Sequence, residues 1–320
     1  MPAGDRRVGH RQPSTAVRFR HLPRVELLSE SVLLLTNPAA RRAAALLPAV
    51  RRAFSDAGVR CEVLPTQRPG HAAELARELS GGYRAVFVLG GDGTVMEVVG
   101  ALARSGIPVG ILPGGTGNLV ARSLGIPLDV SRAVRVLLSG RARSMDLGMT
   151  GEGRHFAFSV GAGVDARMIA ETGAGSKRIF GAAAYALTAM RCALLPRSFT
   201  VRAVVDGEVV ERDAAAVMVA NSGGVLSDLV TLGPGIRSDD GLLDLCIFSP
   251  GGSAQSVAVG WRLLTGRFDE HPAMLYRAGK EFSIECDPPE LYQADGEILG
   301  NTPFQAHVEA GAATVIAPGT

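Results

Sequence analysis

Residues Ala85-Val-Phe-Val-Leu89 run directly into Gly90-Gly91-Asp92-Gly93-Thr94, and after Thr94 the residues Val95, Val98, Val99 and Leu102 recur at i, i+3, i+4 and i+7. An unbroken apolar run ended by glycine reads as a strand buried on both faces, and the spacing after it gives one apolar face of a helix. Strand, glycine turn and helix N-terminus form a phosphate-binding arrangement. Glycine lets the backbone approach, first-turn N–H groups point outward, and the helix dipole favours negative charge. The turn is neither the GxGxxG of dinucleotide folds nor the GxxxxGK[ST] of P-loops. Asp92 stands where phosphates should lie, which predicts a Mg2+-nucleotide; the alternative is a capping aspartate in a tight turn.

The arrangement repeats. Ile107-Pro-Val-Gly-Ile-Leu112 leads into Pro113-Gly-Gly-Thr-Gly-Asn118 and the helical Leu119–Leu124. Two such turns at the same end of adjacent parallel strands can converge on one polyphosphate. Working outward, Val32–Leu35 and Val59–Leu64 read as further strands, His71–Leu79 as helix, and Ala39–Ala57 as a helix that Pro48 starts or kinks. Residues 30–150 therefore predict an α/β domain with an open, mainly parallel sheet. From Gly151 the pattern changes to runs at Phe156–Val160, Phe199–Val205, Ala214–Ala220, Leu242–Phe248, Phe282–Cys286, Phe304–Val308 and Thr314–Ala317, with helices at Asp165–Met190 and Gln255–Leu264. Asp206-Gly207 is a two-residue hairpin signal. This predicts a β-rich second domain over 151–310, a strand near 310–320 returning to the first, and the active site in the cleft between them.

Composition bounds the function. Of 320 residues 47% are hydrophobic, enough for a core and against disorder, and 33 basic against 31 acidic side chains leave a net charge of +2. That balance argues against nucleic acid as a partner. Cys61, Cys192, Cys246 and Cys286 lie far apart and read as free thiols of a reducing compartment. No segment reaches the ~20 apolar residues of a membrane helix; Gly181–Leu195 is interrupted by Arg191. Residues 1–29 form a basic tail, with Arg6, Arg7, Arg11, Arg18, Arg20 and Arg24 against Asp5. It is expected to be disordered, or to hold anionic headgroups weakly. A cytoplasmic protein, peripheral to membrane, is expected.

Gly90–Val99 (GGDGTVMEVV), Leu112–Pro127 (LPGGTGNLVARSLGIP) and Thr36-Asn37-Pro38 resemble the diacylglycerol kinase catalytic domain, a lipid-kinase family that includes sphingosine kinases. The resemblance continues in order through Thr66 with Pro69–Ala72, Met145–Gly148, Gly161–Ala166, Asn221–Gly224, Ser238–Asp244 and Asp295-Gly296-Glu297. It implies an NAD-kinase-like first domain, a β-sandwich second domain, ATP as co-substrate with Mg2+, and a membrane lipid as acceptor. Diacylglycerol is the simplest acceptor; an NAD-kinase-type enzyme or an inactive nucleotide- or lipid-binding regulator are the alternatives.

By the same resemblance Asn37, Thr66, Gly91, Asp92, Gly93, Thr94, Val95, Met96, Glu97, Gly115, Thr116, Gly117 and Asn118 line the nucleotide site. Asp295 is the general base and Glu297 supports nucleotide or metal. Asp240, with the carbonyls of Leu242 and Arg237, matches a structural Mg2+ loop, against a plain β-turn. Asp206-Gly207-Glu208, the chain's other such triplet, is expected to be an exposed turn with a different role from Asp295. The first motif lacks its usual Ser-Gly-basic continuation, and Arg41 or Arg42 is the candidate for the missing phosphate contact. Ile179–Met190 and the helix with Val257, Val259, Trp261, Leu263 and Leu264 read as an acyl groove or as core. Transient membrane contact and a homodimer complete the expected partners.

Overall fold

The apolar runs become strands because each can be buried on both faces. The structure, a computed structural model, describes residues 31–164, 166–167, 169, 198–225 and 230–319. In it β1 (Val32–Thr36), β3 (Val86–Gly90) and β4 (Val109–Pro113) are buried along their whole length. With β2 (Cys61–Pro65) they form a parallel array in the order β2-β1-β3-β4. Helices α1 (Arg41–Asp56), α2 (His71–Leu79), α3 (Asp92–Ala101), α4 (Leu119–Ser123) and α5 (Val130–Leu138) connect them. Phe54 of α1 meets Phe87 of β3 edge-on at 5.0 Å, locking helix to sheet. Pro48 lies inside α1 and neither starts nor ends it.

The same sheet continues past β4. The C-terminal strand β18 (Phe304–Ala317) pairs parallel to β4 at Val315 and antiparallel to β5 (Arg141–Thr150) from Ala306 to Ala317. Its first half pairs with β15 (Glu281–Asp287), which carries β8 (Phe199–Val205) and β9 (Glu208–Ala214) beyond it. The two runs expected at Phe304–Val308 and Thr314–Ala317 are thus one strand, interrupted only by a register shift between Glu309 and Ala313.

A second, six-stranded antiparallel sheet runs β14-β13-β10-β7-β16-β17. Its strands are β7 (Ser159–Gly163), β10 (Ala216–Ala220), β13 (Leu243–Phe248), β14 (Met274–Gly279), β16 (Leu291–Ala294) and β17 (Glu297–Asn301). The expected strand Phe156–Val160 is split into β6 (His155–Phe156), which pairs with β5, and β7, with Ala157 and Phe158 between. A short hairpin, β11 (Gly224–Val225) and β12 (Val230–Thr231), lies apart, and α6 (Ser253–Thr265) covers the second sheet. Phe156, Val201, Val217, Leu245, Phe282 and Phe304 fill the space between the sheets, while Met218, Cys246, Phe248 and Val259 pack under α6. The tail 1–29, Cys192, Ile179–Met190 and nearly all of the helix expected at Asp165–Met190 lie outside the described residues. Among those described, no helix is long and apolar enough to cross a membrane.

Candidate active site

Both glycine turns leave the carboxyl ends of neighbouring strands, β3 and β4, and they touch through backbone. Gly114 N–H donates to Gly90 O at 3.0 Å, and a Cβ built on Gly115 would stand 2.6 Å from Gly91 Cα. A first helical turn has no carbonyl within its own helix for its N–H groups, so α3 offers those of Gly93 and Thr94 there. Thr94 is buried, with its hydroxyl 3.4 Å from the Asn37 amide, and Asn37 also accepts from Ala39 N–H. Thr66 is buried at the end of β2, its N–H on the Thr36 carbonyl. Thr116 and Gly93 are exposed.

Several residues expected to meet the nucleotide spend their side chains otherwise. Asp92 turns away from the α3 turn: its Oδ1 accepts from Val120 N–H at 3.3 Å, and its Oδ2 would sit 2.9 Å from a Cβ on Gly117. Burial pushes its pKa up, while the N–H groups opening α4 pull it down. Asp92 thus reaches the N–H groups that open α4. Asn118, held at φ 51°, closes the second turn on itself by accepting from Gly115 N–H and donating to Gly115 O. Glu97 accepts from Gly70 and Ala72 N–H, fixing the start of α2. Val95 is buried and Met96 packs on the core, leaving only their backbone for a ligand.

The two Asp-Gly-Glu triplets prove to be geometric twins. Each is a two-residue hairpin turn, with φ 49° and 89° at Asp206-Gly207 and 46° and 87° at Asp295-Gly296. Asp206 accepts from Lys280 and Glu281 N–H at the head of β15; Asp295 accepts from Ala157, Phe158 and Ser159 N–H at 2.7, 2.9 and 3.1 Å at the head of β7. The expectation that they would differ holds for their surroundings, not their bonding. Asp206 is exposed, whereas desolvation pushes Asp295 up to about 6 against those three N–H bonds and the Arg154 charge. Beside Asp295, Glu297 pairs with Arg154 at 2.7 Å, and its Oε1 would lie 3.8 Å from a Cβ on Gly93. That approach brings the late triplet to the first glycine turn.

A profile of the diacylglycerol kinase catalytic domain matches residues 31–150, and one of the YegS C-terminal NAD kinase beta sandwich-like domain matches 158–317. The chain belongs to the diacylglycerol kinase family. Diacylglycerol kinase of Staphylococcus carnosus is 28% identical over 272 residues, 82% of this chain and 88% of its own length. An uncharacterized Synechocystis protein is 28% identical over 249 residues, 76% of this chain, but the match spans only 57% of that longer relative. A solved diacylglycerol kinase from Bacillus anthracis matches with a TM-score of 0.68 at 25% identity, over 90% of this chain and 97% of that one. The expected pairing of a mainly parallel α/β domain with a β-sandwich holds for this family member.

The loop expected to hold a structural Mg2+ carries its own counter-charge. The Arg237 guanidinium donates to Asp239 at 2.8 Å, and the carboxylates of Asp239 and Asp240 together hold it charged. Asp240 is exposed and accepts from Leu242 N–H, as in a plain turn. Among the described residues no three His, Cys, Asp or Glu side chains gather to hold a metal. The loop is anchored instead by buried Asp146, which accepts from Gly241 and Gly311 N–H at 2.7 Å each. Buried Asn221 donates to the carbonyls of Asp146 and Ala157, and so ties this anchor to the strand head that holds Asp295. A cavity of about 370 Å³ bordered by Ser123, Arg143, Ser222 and Arg237 opens on the other side of Phe158 from Asp295. Arg154 entered no motif: it lies in a Gly-Glu-Gly-Arg turn whose sequence carries no signal, and only the fold places it beside Glu297.

Proposed function

We propose that the chain is an ATP-dependent lipid kinase that transfers the γ-phosphate of Mg-ATP to a lipid hydroxyl, in the simplest case from diacylglycerol to phosphatidic acid. The observation that carries this is the meeting of three turns, Gly90–Thr94, Gly114–Asn118 and Asp295–Glu297, two of them in backbone contact. Such a cradle admits phosphate oxygens to N–H groups at van der Waals distance, and a single added methyl group would fill it.

In the reaction the acceptor oxygen attacks the γ-phosphorus, the bond to the β-phosphate oxygen breaks, and ADP leaves. Asp295 takes the hydroxyl proton. Its Oδ1 holds two N–H groups and its Oδ2 one, so a lone pair of Oδ2 remains for that proton. A carboxyl raised to about 6 is a stronger base than an ordinary aspartate and still ionised at neutral pH. Mg2+ would be held by phosphate oxygens and by exposed Glu297, supplying neutralisation of phosphate charge. Catalysis then rests on positioning and electrostatics, as phosphoryl transfer generally does.

The test is label transfer from γ-labelled Mg-ATP to a panel of lipids in mixed micelles, beside Asp295→Asn and with NAD as soluble acceptor. Label in one lipid, lost in the variant, is expected. Label in NAD alone would replace this reading with the metabolite-kinase one, and ATP binding without any transfer would leave a regulator.

A further inference from the structure

Neither glycine turn carries a lysine or arginine: Gly90–Thr94 and Gly114–Asn118 hold Asp92 and no cation. A P-loop solves the same problem with an internal lysine. Arg41 and Arg42, the cations the sequence suggested for the purpose, are exposed on the first turn of α1. Beyond Mg2+, the charge of a triphosphate must be met by cations outside the turn residues, such as Arg122, whose Nε donates to the Gly117 carbonyl at 3.2 Å, and Arg154.

Of these, Arg154 is the one the fold places beside the late triplet. Its backbone is clamped from both sides by Thr150, whose N–H donates to Arg154 O at 2.9 Å and whose hydroxyl accepts from Arg154 N–H. The side chain reaches across to Glu297, Nη2 to Oε2 at 2.7 Å, while Oε1 of the same carboxylate would lie 3.8 Å from a Cβ built on Gly93. Guanidinium, carboxylate and the first turn of α3 thus follow one another across a single gap, with Asp295 on the same hairpin as Glu297. We propose that Arg154 contacts the terminal phosphate of the bound nucleoside triphosphate and stabilises the charge that gathers on it during transfer. This rests on the kinase reading above.

The pair with Glu297 does not compete as an explanation. Its two side chains are 40% and 58% exposed, and pairs open to solvent contribute little to stability. Exchanging that partner for a phosphate oxygen therefore sacrifices little, and a planar fork of N–H donors matches two phosphate oxygens at once. The Arg154 charge also acts on the Asp295 carboxylate, so the same cation is felt by the base and by Glu297.

The experiment measures ATP and AMP binding by calorimetry, and lipid phosphorylation, for the full chain and for Arg154→Ala and Arg154→Lys. Losing a charge-assisted phosphate contact should weaken ATP binding of Arg154→Ala about tenfold or more and leave AMP binding unchanged. Turnover should fall on the order of 10²–10³-fold, the usual effect of deleting a transition-state donor. Arg154→Lys should lie between, and added guanidinium ion at non-denaturing concentration should restore part of the turnover of Arg154→Ala. An ATP-to-AMP affinity ratio and turnover equal to wild type would overturn the proposal. If Arg154→Ala does not fold, Arg154→Lys decides: wild-type ratio and rate with an ammonium in place of the guanidinium would refute the bidentate contact. A wild-type chain that binds ATP but phosphorylates no lipid would remove the kinase reading, and the ATP-to-AMP ratio would still judge Arg154. A wild-type chain that binds no ATP would overturn both.

Discussion

Substituting Gly115 by alanine should damage the nucleotide site chiefly through its backbone. The added methyl would stand 2.6 Å from Gly91 Cα, 3.4 Å from Gly91 N and 3.3 Å from Asn118 Oδ1. Carbon atoms rest about 3.5–4.0 Å apart, so the two turns must separate by about 1 Å. The nearest atoms are backbone, continuous with β3 and β4 and tied by the Gly114–Gly90 hydrogen bond, so no rotamer change relieves the clash. Overpacking of this kind costs about 1–3 kcal/mol, and a 1 Å displacement of a positioning element costs about 10²-fold in rate. Thermal melting, ATP titration and phosphoryl transfer read the three consequences. Gly81→Ala, where a new methyl meets nothing within 4 Å, is the matched control and should leave all three unchanged. A Gly115→Ala protein with the melting temperature and ATP affinity of wild type would show that the turns do not form the cradle described.

With Asp295 active as the carboxylate and its pKa near 6, kcat/KM should rise with pH through about 6 and level above it; a flat profile from pH 5 to 8 would exclude Asp295 as the base. The same raised value means that the folded protein binds this proton more tightly than the unfolded chain, so Asp295 should lend stability below about pH 4 that is lost as pH rises through 6. In a chemical denaturation series, Asp295→Asn should remove that component. Asp146→Ala should lose about 2–4 kcal/mol of unfolding free energy, because two part-buried N–H groups forfeit a charged acceptor; an unchanged denaturation midpoint would contradict its anchoring role. Because Arg237 pairs with Asp239 and Asp240 accepts from Leu242 N–H, EDTA should not lower the melting temperature; a clear drop would place a metal in that turn.

The first half of the fold is legible because β1, β3 and β4 are local: each is an apolar run ended by glycine, proline or a polar residue, and each helix shows its own period. β5 is not legible. Arg141, Arg143, Ser144 and Asp146 break any alternation, and the strand exists because β18 lies alongside it along nearly its whole length. The site was legible as a set of turns but not as a set of contacts. Asp92, Glu97 and Asn118 stand at the positions the motifs suggest, yet Asp92 and Glu97 are claimed by backbone N–H groups of other turns, and Asn118 by Gly115 of its own. The paired triplets make the point most sharply. Identical local sequence builds identical turns, and what separates Asp295 from Asp206 is the strand it happens to cap and the company of Arg154, Glu297 and Gly93.

The long strand β18 also constrains how the chain can be made. Residues 31–150 leave β4 without its neighbour until the final segment has been synthesised, so an emerging chain carries an open, apolar sheet edge for the whole time the second half is being translated. Open edges of that kind recruit other strands. A fragment cut at residue 150 should therefore aggregate rather than yield an isolated nucleotide-binding domain, and removing only the last dozen residues should unsettle both halves together. Although the chain reads as two modules in sequence, its final strand makes them one unit of folding.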